Sequence, residues 1–209
     1  MSIVFYEATT PSSAMPVACA LTELHVPHER IRLDLSTGAT RTPEYLQLNP
    51  HGKVPLLIAD GTPMFEGLAI VLWLSERFGI ERKVWPSADS PLRCEALAWS
   101  VWAYVSYGAM LGRHFMATGP RLGSEFHNVA QAAYTKKELT HMLDILDARL
   151  AKHPYLLGEA FSMADLITAS SVGYGAFIGV SVGGHANVGA WLKRCHERPS
   201  FRTEFAAFR

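Results

Sequence analysis

The fold is decided by the stretch Asn49–Phe78, which reads NPHGKVPLLIADGTPMFEGLAIVLWLSERF. It opens on a turn, because Pro50 cannot continue a helix and Gly52 admits positive φ. Further on, the pair Asp60-Gly61 predicts a hairpin between two short apolar strands. Apolar residues at helical spacing follow, and Gly79 is a plausible stop for that helix. The stretch therefore predicts the order turn, strand, hairpin, strand and helix.

Pro55 stands at the entrance to the first of these strands, Leu56–Ile58. A proline removes a ladder donor, so in sheets it is confined to strand starts, edges and bulges. Cis peptide bonds occur almost only before proline. We therefore expect a special backbone geometry here, with a cis bond between Val54 and Pro55 that turns the main chain of Val54 towards a ligand.

Glu66 and Gly67 lie between the second strand, Met64–Phe65, and the helix. A helix N-terminus offers unpaired N–H groups and a partial positive charge, which favour an anion. Gly67 would let a ligand approach the main chain, and the Glu66 carboxylate could take an ammonium group beside it. These features suit a small zwitterionic peptide. The alternative, a capping Glu66 with a space-saving Gly67, stays open.

Together these motifs resemble the glutathione-binding half of a cytosolic glutathione transferase, with its N-P-x-G-[KQ]-V-P, D-G and E-[SG]-x-A-I-x-x-[YW]-L elements. Most members have serine after the glutamate, whereas Gly67 matches bacterial beta-type members. The resemblance implies an α/β thioredoxin-like N-terminal domain followed by an all-α C-terminal helical domain. We expect the first domain at 1–80, a linker rich in proline and small polar residues at 81–91, and the helical domain at 92–209.

Composition indicates a folded protein without a dominant charge. Of 209 residues, 49% are hydrophobic and 18% are charged, which excludes a disordered chain. Basic and acidic residues number 19 each, so no global field favours nucleic acid or an anionic membrane. No signal peptide or spanning segment is predicted. The three cysteines and nine histidines match no disulfide or zinc pattern, so we expect reduced thiols, a cytoplasmic location and no metal.

The remaining elements follow from periodicity and from helix breakers. Ser162-x-x-Asp165 resembles a capping box and matches the device that opens the family's core helix. Tyr6 and Cys19 are interpreted as core residues. The other predicted elements are strands at 2–6 and 29–33, a helix at 14–24 capped by Ser12 or Ser13, a helical turn at 43–46, helices at 92–113, 126–152, from 166 onward and 191–198 stopped by Pro199, and a loop at 117–123.

The loop after the first strand is the predicted origin of the chemistry. A thiol with a pKa of about 8.5 is mostly protonated at neutral pH, so glutathione needs help to react as a thiolate. A hydroxyl donor and the N-terminus of the first helix both favour the thiolate. Family members carry an activating Tyr, Ser or Cys in this loop. Alignment with the beta-type pattern C-S-x-x-P places Ser12 at the Cys position and Ser13 at the Ser position.

Alignment with theta- or delta-type patterns leaves Thr10 or Ser12 as the substitute instead. We take Ser12 as the first candidate, with Ser13 and Thr10 as alternatives, although each also suits a cap or a turn. A serine cannot form a mixed disulfide with glutathione, which disfavours covalent redox chemistry.

The resemblance also implies the partners of glutathione along the central stretch. The main chain of Val54, presented by Pro55, would pair with the cysteinyl portion. Glu66 would bind the γ-glutamyl ammonium, and the N–H of Gly67 would bind the γ-glutamyl carboxylate. The glycyl carboxylate would be met by Lys53 or His51.

For the electrophile, the resemblance points to the first helix of the second domain. Beta-type enzymes carry a histidine on this helix, where the alignment puts Gly108 instead. The candidates suit a hydrophobic cosubstrate, although the aromatic ones suit the core better than the site. They are Tyr104, Tyr107, Met110, His114 and Phe115.

We therefore predict a transferase that joins glutathione, its cosubstrate, to small hydrophobic electrophiles. The alternatives are a non-catalytic glutathione-binding protein or a glutathione-dependent isomerase, peroxidase, dehalogenase or ether-cleaving enzyme. The resemblance implies a homodimer, with each first domain packed on the second domain of its mate, and the apolar helix at Leu97–Leu111, which needs further cover, supports this expectation. No nucleic acid or membrane partner is expected.

Overall fold

The computed structural model describes residues 1–119 and 123–207 of the chain. They form two compact units. The first contains residues 1–87 together with the segment from Glu197 onward, and the second contains Ala88–His196. The predicted fold class, a thioredoxin-like α/β part with a helical part, is confirmed. The division differs from the predicted one at the end of the chain, where the last helix lies with the first unit.

A four-stranded sheet in the order β2-β1-β3-β4 forms the centre of the first unit. β1 and β2 are parallel, whereas β3 is antiparallel to both β1 and β4. A parallel pair needs a crossover connection, and the helix α1 (Met15–Glu23) supplies it. A short helix, α2 (Pro43–Leu48), lies between β2 and β3. The strands are β1 (Ile3–Ala8), β2 (Glu29–Leu33), β3 (Leu56–Ala59) and β4 (Thr62–Phe65).

The hairpin between β3 and β4 confirms its sequence signal. Asp60 and Gly61 both have positive φ, +46° and +82°, as a two-residue hairpin turn requires. After β4, the helix α3 (Gly67–Leu74) continues into a π-helical turn, Ser75–Gly79. The helical path ends at Gly79, which is its last residue, whereas the prediction placed this glycine just beyond the end. Close packing explains this glycine, since a Cβ there would lie 2.9 Å from the Cβ of Trp85.

The second unit is helical throughout its regular elements. Its first two helices join without a break through a π-helical turn, Trp102–Tyr107, so the predicted segment 92–113 is one helical path that extends to Thr118. Residues 120–122 of the predicted loop lie outside the described residues. No described helix is long and apolar enough to span a membrane. The helices are α4 (Arg93–Val101), α5 (Gly108–Thr118), α6 (Val129–Leu150), α7 (Met163–Phe177) and α8 (Ala186–His196).

The end of the chain differs from the prediction of one helix at 191–198. α8 begins earlier, at Ala186, and ends at His196. Pro199 then opens a further helix, α9 (Pro199–Ala206), in place of the predicted stop. Proline suits the first position of a helix because its missing N–H would have no partner there. α9 packs against α1 in the first unit.

Asp165 holds the start of α7 in the second unit. Its side chain is fully buried and accepts hydrogen bonds from the N–H groups of Ser162 (2.9 Å) and Leu156 (2.8 Å) and from Nε1 of Trp191 (2.9 Å). Burial raises the pKa of this carboxyl, against the donors that favour its charged form. The capping interaction with Ser162 was predicted, whereas the other two donors extend the role of Asp165 to the preceding loop and to α8.

Replacing Asp165 with alanine should destabilise the protein by more than the loss of a simple cap. Three N–H donors would lose their acceptor in a buried site, and each unmet buried donor costs about 1–3 kcal/mol. We expect the free energy of unfolding to fall by roughly 3 kcal/mol or more, measured by denaturant unfolding. Asp89→Ala, at an exposed position of the same unit, is the control and should change little. A fall of only about 1 kcal/mol would reduce Asp165 to a helix cap.

Tyr107 lies in the core of the second unit. It is fully buried and stacks on Trp102, with ring centroids 5.5 Å apart. Its hydroxyl fills the space that a Cβ on Gly175 would need. That hydroxyl has no hydrogen-bond partner among the described residues. Of the two interpretations of this aromatic residue, electrophile wall or core, its surroundings match the core.

Tyr107→Phe should therefore leave the stability unchanged or raise it, because the lost hydroxyl makes no hydrogen bond. Tyr45→Phe is the matched comparison, since the Tyr45 hydroxyl donates to the carbonyl of Lys53 at 2.8 Å. That variant should lose about 0.5–1.5 kcal/mol of unfolding free energy. Urea unfolding of both variants checks the pair. An equal loss in both would contradict the unpaired state of the Tyr107 hydroxyl.

Candidate functional site

The loop between β1 and α1 is fixed at both ends by main-chain hydrogen bonds. The N–H of Thr9 donates to the carbonyl of Leu33 at 3.0 Å, and the N–H of Met15 donates to the carbonyl of Ser12 at 3.1 Å. The N-cap of α1 is Ala14, with no side-chain cap. The predicted cap at Ser12 or Ser13 was thus wrong, because the chain already has helical dihedrals at Ala14. The loop hydroxyls are left for other contacts.

Ser13 uses its hydroxyl to join this loop to the turn before β3. Its Oγ donates to the carbonyl of Val54 at 2.9 Å. The hydroxyl hydrogen is therefore committed to the protein and is not directed at a ligand. The sequence could not show this contact, because its two residues lie 41 positions apart.

Ser12 and Thr10 keep hydroxyl hydrogens that no described residue accepts. Ser12 is half-buried, and its Oγ accepts a hydrogen bond from the N–H of Ala14 at 3.3 Å. This contact orients the oxygen and leaves its hydrogen available as a donor. Thr10 is exposed, and its side chain makes no hydrogen bond within the described part of the chain. Of the three hydroxyls, that of Ser12 combines partial burial with a free hydrogen.

The turn before β3 is held by two buried polar groups that the sequence analysis did not select. The amide Nδ2 of Asn49 and the hydroxyl of Tyr45 both donate to the carbonyl of Lys53, at 2.7 and 2.8 Å. The Asn49 Oδ1 accepts from the N–H of His51 at 3.1 Å. Burial raises the pKa of Tyr45 to about 12, so its phenol stays protonated and keeps donating. With the main chain fixed in this way, the side chains of His51 and Lys53 are exposed.

Arg41 adds a third basic side chain, beside those of His51 and Lys53, to this turn. Its Nη1 donates to the carbonyl of His51 at 3.3 Å. The glycine beside His51 permits this approach, because a Cβ on Gly52 would lie 2.7 Å from the same Nη1. Gly52 also has φ +59°, as the sequence predicted for the turn. Arg41 was missed because no motif singles it out, and only the packing on Gly52 brings it here.

The bond between Val54 and Pro55 is cis, as predicted. Val54 is buried, and its carbonyl accepts the Ser13 hydroxyl. Its N–H has no acceptor among the described residues. The site therefore contains one main-chain donor that is available to an extended ligand.

Glu66 lies at the same end of the β3–β4 ladder as Pro55. The β3–β4 ladder pairs Leu56 with Phe65, which places the following residue, Glu66, beside Pro55. The ring of His51 lies 5.3 Å from that of Phe65, so the turn of residues 49–53 lies at this end of the sheet as well. The segments around Ser13, Val54 and Glu66 thus meet in one place in the first unit.

Glu66 has a backbone conformation that is rare for its residue type. Its φ is +71° and its ψ is +114°, outside the small left-handed region that non-glycine residues tolerate. Its side chain makes no cap hydrogen bond with α3. The capping interpretation of Glu66 is therefore not supported, and the carboxylate stays exposed without a partner among the described residues. Such strained residues cluster at ligand-binding sites.

The residues considered for the electrophile all lie on the α4–α5 path of the second unit. Tyr107 is buried as described, whereas Tyr104, Met110 and Phe115 are half-buried. Nδ1 of His114 lies 2.9 Å from the hydroxyl of Thr135 in α6. Burial, followed by the charge of Lys136, lowers the pKa of His114, so its imidazole is neutral at pH 7.

Gly108, where the alignment with beta-type enzymes expects histidine, lies at the end of the π-helical turn. A Cβ on Gly108 would come within 3.1 Å of the carbonyl oxygen of Ala103. This close approach to the Ala103 carbonyl gives a local reason for glycine at this position.

Two family models match the chain. The N-terminal domain of glutathione S-transferases matches residues 1–76, and their C-terminal domain matches residues 112–199. The chain belongs to the glutathione S-transferase family. Among curated relatives, the glutathione S-transferase GstB of Escherichia coli is 29% identical over 209 residues, with 96% of each chain covered. The disulfide-bond oxidoreductase YfcG of E. coli is 28% identical, with 95% of this chain and 92% of that one covered.

A solved relative adds a bound ligand to this comparison. The glutathione transferase of Burkholderia graminis superposes with a TM-score of 0.84 at 27% identity, covering 97% of this chain and 87% of that one. That structure contains two glutathione molecules per subunit. Among the described residues of this chain, no group of His, Cys, Asp and Glu is arranged to hold a metal ion.

Proposed function

We propose that this protein binds glutathione in its first unit and transfers the glutathione thiolate to small hydrophobic electrophiles. The observation that supports it most is the meeting of the segments around Ser13, Val54 and Glu66 at one end of the sheet. They offer a free main-chain N–H at Val54, an unpaired carboxylate at Glu66 and the N-terminus of α3 at Gly67. Glutathione is an extended zwitterionic peptide, so it needs this combination of donors and charges.

Each end of glutathione has a complementary group in this arrangement. The Glu66 carboxylate would bind the γ-glutamyl ammonium, and the N–H of Gly67 at the start of α3 would bind the neighbouring carboxylate. The N–H of Val54 would pair with the cysteinyl carbonyl. The exposed side chains of Lys53, His51 and Arg41, at the turn before β3, would meet the glycyl carboxylate.

Activation of the thiol is assigned to Ser12. Its hydroxyl hydrogen is free, and it precedes the first turn of α1, whose partial positive charge also favours a thiolate. A hydrogen bond to a charged group contributes about 1.5–3 kcal/mol, which would lower a thiol pKa by about one to two units. Ser13 supports the site in a different way, by holding the Val54 carbonyl. Thr10 remains the second choice as donor.

Ser12→Ala should lower thiolate formation without destabilising the fold. Ser13→Ala should instead lower the stability and weaken glutathione binding. In Ser12→Ala, we expect the pKa of bound glutathione to rise by at least one unit with little change in unfolding free energy. In Ser13→Ala, the lost hydrogen bond should cost about 1 kcal/mol of stability and weaken glutathione binding. Thiolate absorbance against pH and urea unfolding separate the two. An unchanged bound-thiol pKa in Ser12→Ala would move the assignment to Thr10.

Retention on a glutathione-affinity column and turnover of a chromogenic aryl halide test the whole proposal. Glu66→Gln keeps the shape and removes the charge, so glutathione affinity should fall about tenfold or more by calorimetry. Glu44→Gln, an exposed residue of α2 in the same unit, is the matched control and should leave affinity unchanged. Binding without turnover would leave a non-catalytic glutathione-binding protein. The absence of both retention and turnover at millimolar glutathione would reject the proposal.

A second candidate function, glutathione-dependent reduction of disulfides, is favoured by the similarity to YfcG. One glutathione thiolate would attack a disulfide and release a thiolate, and a second would attack the mixed product to give glutathione disulfide and a second thiolate. No protein thiol is needed, which fits a loop without cysteine and a buried Cys19. Faster turnover of bis(2-hydroxyethyl) disulfide than of an aryl halide would select this function.

We further propose a cytoplasmic homodimer that uses the second unit for contact. Apolar side chains are exposed along its first helical path, with Val101, Val105 and Met116 exposed by 43%, 61% and 44%. Val129 and Tyr134 on α6 add exposures of 87% and 55%. A light-scattering mass equal to one chain at micromolar concentration would contradict the dimer.

A further inference from the structure

α9 is joined to the first unit by charged groups that are largely buried. The guanidinium of Arg198, just before α9, places Nε 3.2 Å from both carboxylate oxygens of Glu23 in α1. The hydroxyl of Ser200 donates to the same carboxylate at 2.5 Å. These contacts fix the start of α9 against the last turn of α1.

Glu204, further along α9, joins three elements through one carboxylate. It is 3% exposed. Its Oε1 accepts from the hydroxyl of Thr22 in α1 at 2.5 Å, and its Oε2 accepts from Nη2 of Arg30 in β2 at 2.7 Å. A buried carboxylate is tolerated only when its oxygens are paired. Loss of Arg30 would leave an uncompensated charge, and loss of the Thr22 hydroxyl would leave one oxygen without its donor. α9 therefore holds α1 and β2 in a fixed relation.

Arg30 extends this link to the end of β1. Its Nε lies 3.3 Å from Oε1 of Glu7, which is 1% exposed. Arg32 also donates to that oxygen, at 2.8 Å. The Arg30 guanidinium is supported from below by the ring of Phe5, with 5.6 Å between Cζ and the ring centroid. The charged groups thus connect α9 with β2 and with the last residues of β1, just before the candidate loop.

The Thr10–Ser13 loop connects β1 to α1, and both elements are linked to α9 by the contacts described above. It leaves β1 directly after Glu7 and Ala8, and it enters α1, whose far end carries Thr22 and Glu23. A helix moves as a rigid rod because its main chain is internally hydrogen-bonded. Displacement of the last turn of α1 therefore also displaces its first turn and the loop before it.

We propose that α9 is a positioning element for the candidate glutathione site, in which Glu204, with Thr22 and Arg30, sets the geometry of the Thr10–Ser13 loop. None of these three side chains is among the residues assigned to glutathione under the proposed function. The effect on the loop stands by itself, whereas the effect on thiolate formation rests on the proposed function.

Glu204→Gln tests the proposal, because it removes the charge and keeps the size of the side chain. In the ligand-free protein, amide hydrogen exchange at residues 9–15 should become about tenfold faster, while exchange in α7 changes less than about twofold. Glutathione affinity should fall about tenfold, with a raised pKa of the bound thiol. Glu29→Gln makes the same change at an exposed position next to Arg30 and should alter none of these readouts.

Thr22→Val is the second variant, for use if Glu204→Gln does not fold. It keeps the Arg30–Glu204 pair and removes one hydrogen bond, so exchange at residues 9–15 should rise about threefold. Faster exchange confined to α9 and residues 22–30, with the loop unchanged, would overturn the proposal. Equal acceleration in both units would also overturn it. A faster loop in a protein that does not bind glutathione would support positioning and reject the proposed function.

Discussion

The hydrogen bond from Ser13 to the main-chain carbonyl of Val54 is the contact on which the site depends. It ties the loop that follows β1 to the turn that precedes β3, so two segments far apart in sequence act as one wall. On the loop side of this bond, Ser13 fixes the position of the preceding residue, Ser12. On the turn side, the bond fixes the position of Val54 and of its free N–H. Hydrogen bonds from Asn49 and Tyr45 then keep the turn from yielding.

The sequence predicted what is encoded locally. β2 and the hairpin at Asp60-Gly61 were found because alternation and turn chemistry act over a few residues. The motif around Val54 and Glu66 also pointed to the end of the sheet at which the candidate site lies. What the sequence left open was which hydroxyl is free, because the commitment of Ser13 depends on a tertiary contact. The predicted serine cap failed for a local reason, since the helical conformation starts at Ala14.

The network of α9 was not predictable from local patterns. Glu204 and Arg30 are 174 residues apart, and each has the sequence surroundings of a solvated charge. The proline that opens α9 has the same signature as a proline that ends a helix, and we interpreted it as a stop. The π-helical turn at Trp102–Tyr107 was not predicted, because the apolar residues of 92–113 indicate a helix without specifying its hydrogen-bond pattern. Burial and partner choice decide all three features.

The return of the chain to its first unit has a consequence for the order of synthesis. Residues 1–87 leave the ribosome with the pair of Arg30 and Glu7 in place, but the other partner of Arg30, Glu204, is made only after the whole second unit. Domains generally fold as they emerge, N-terminal part first. Here the part that emerges first is completed last, so during translation Arg30 has Glu7 beside it and lacks its second carboxylate partner, Glu204, until α9 arrives.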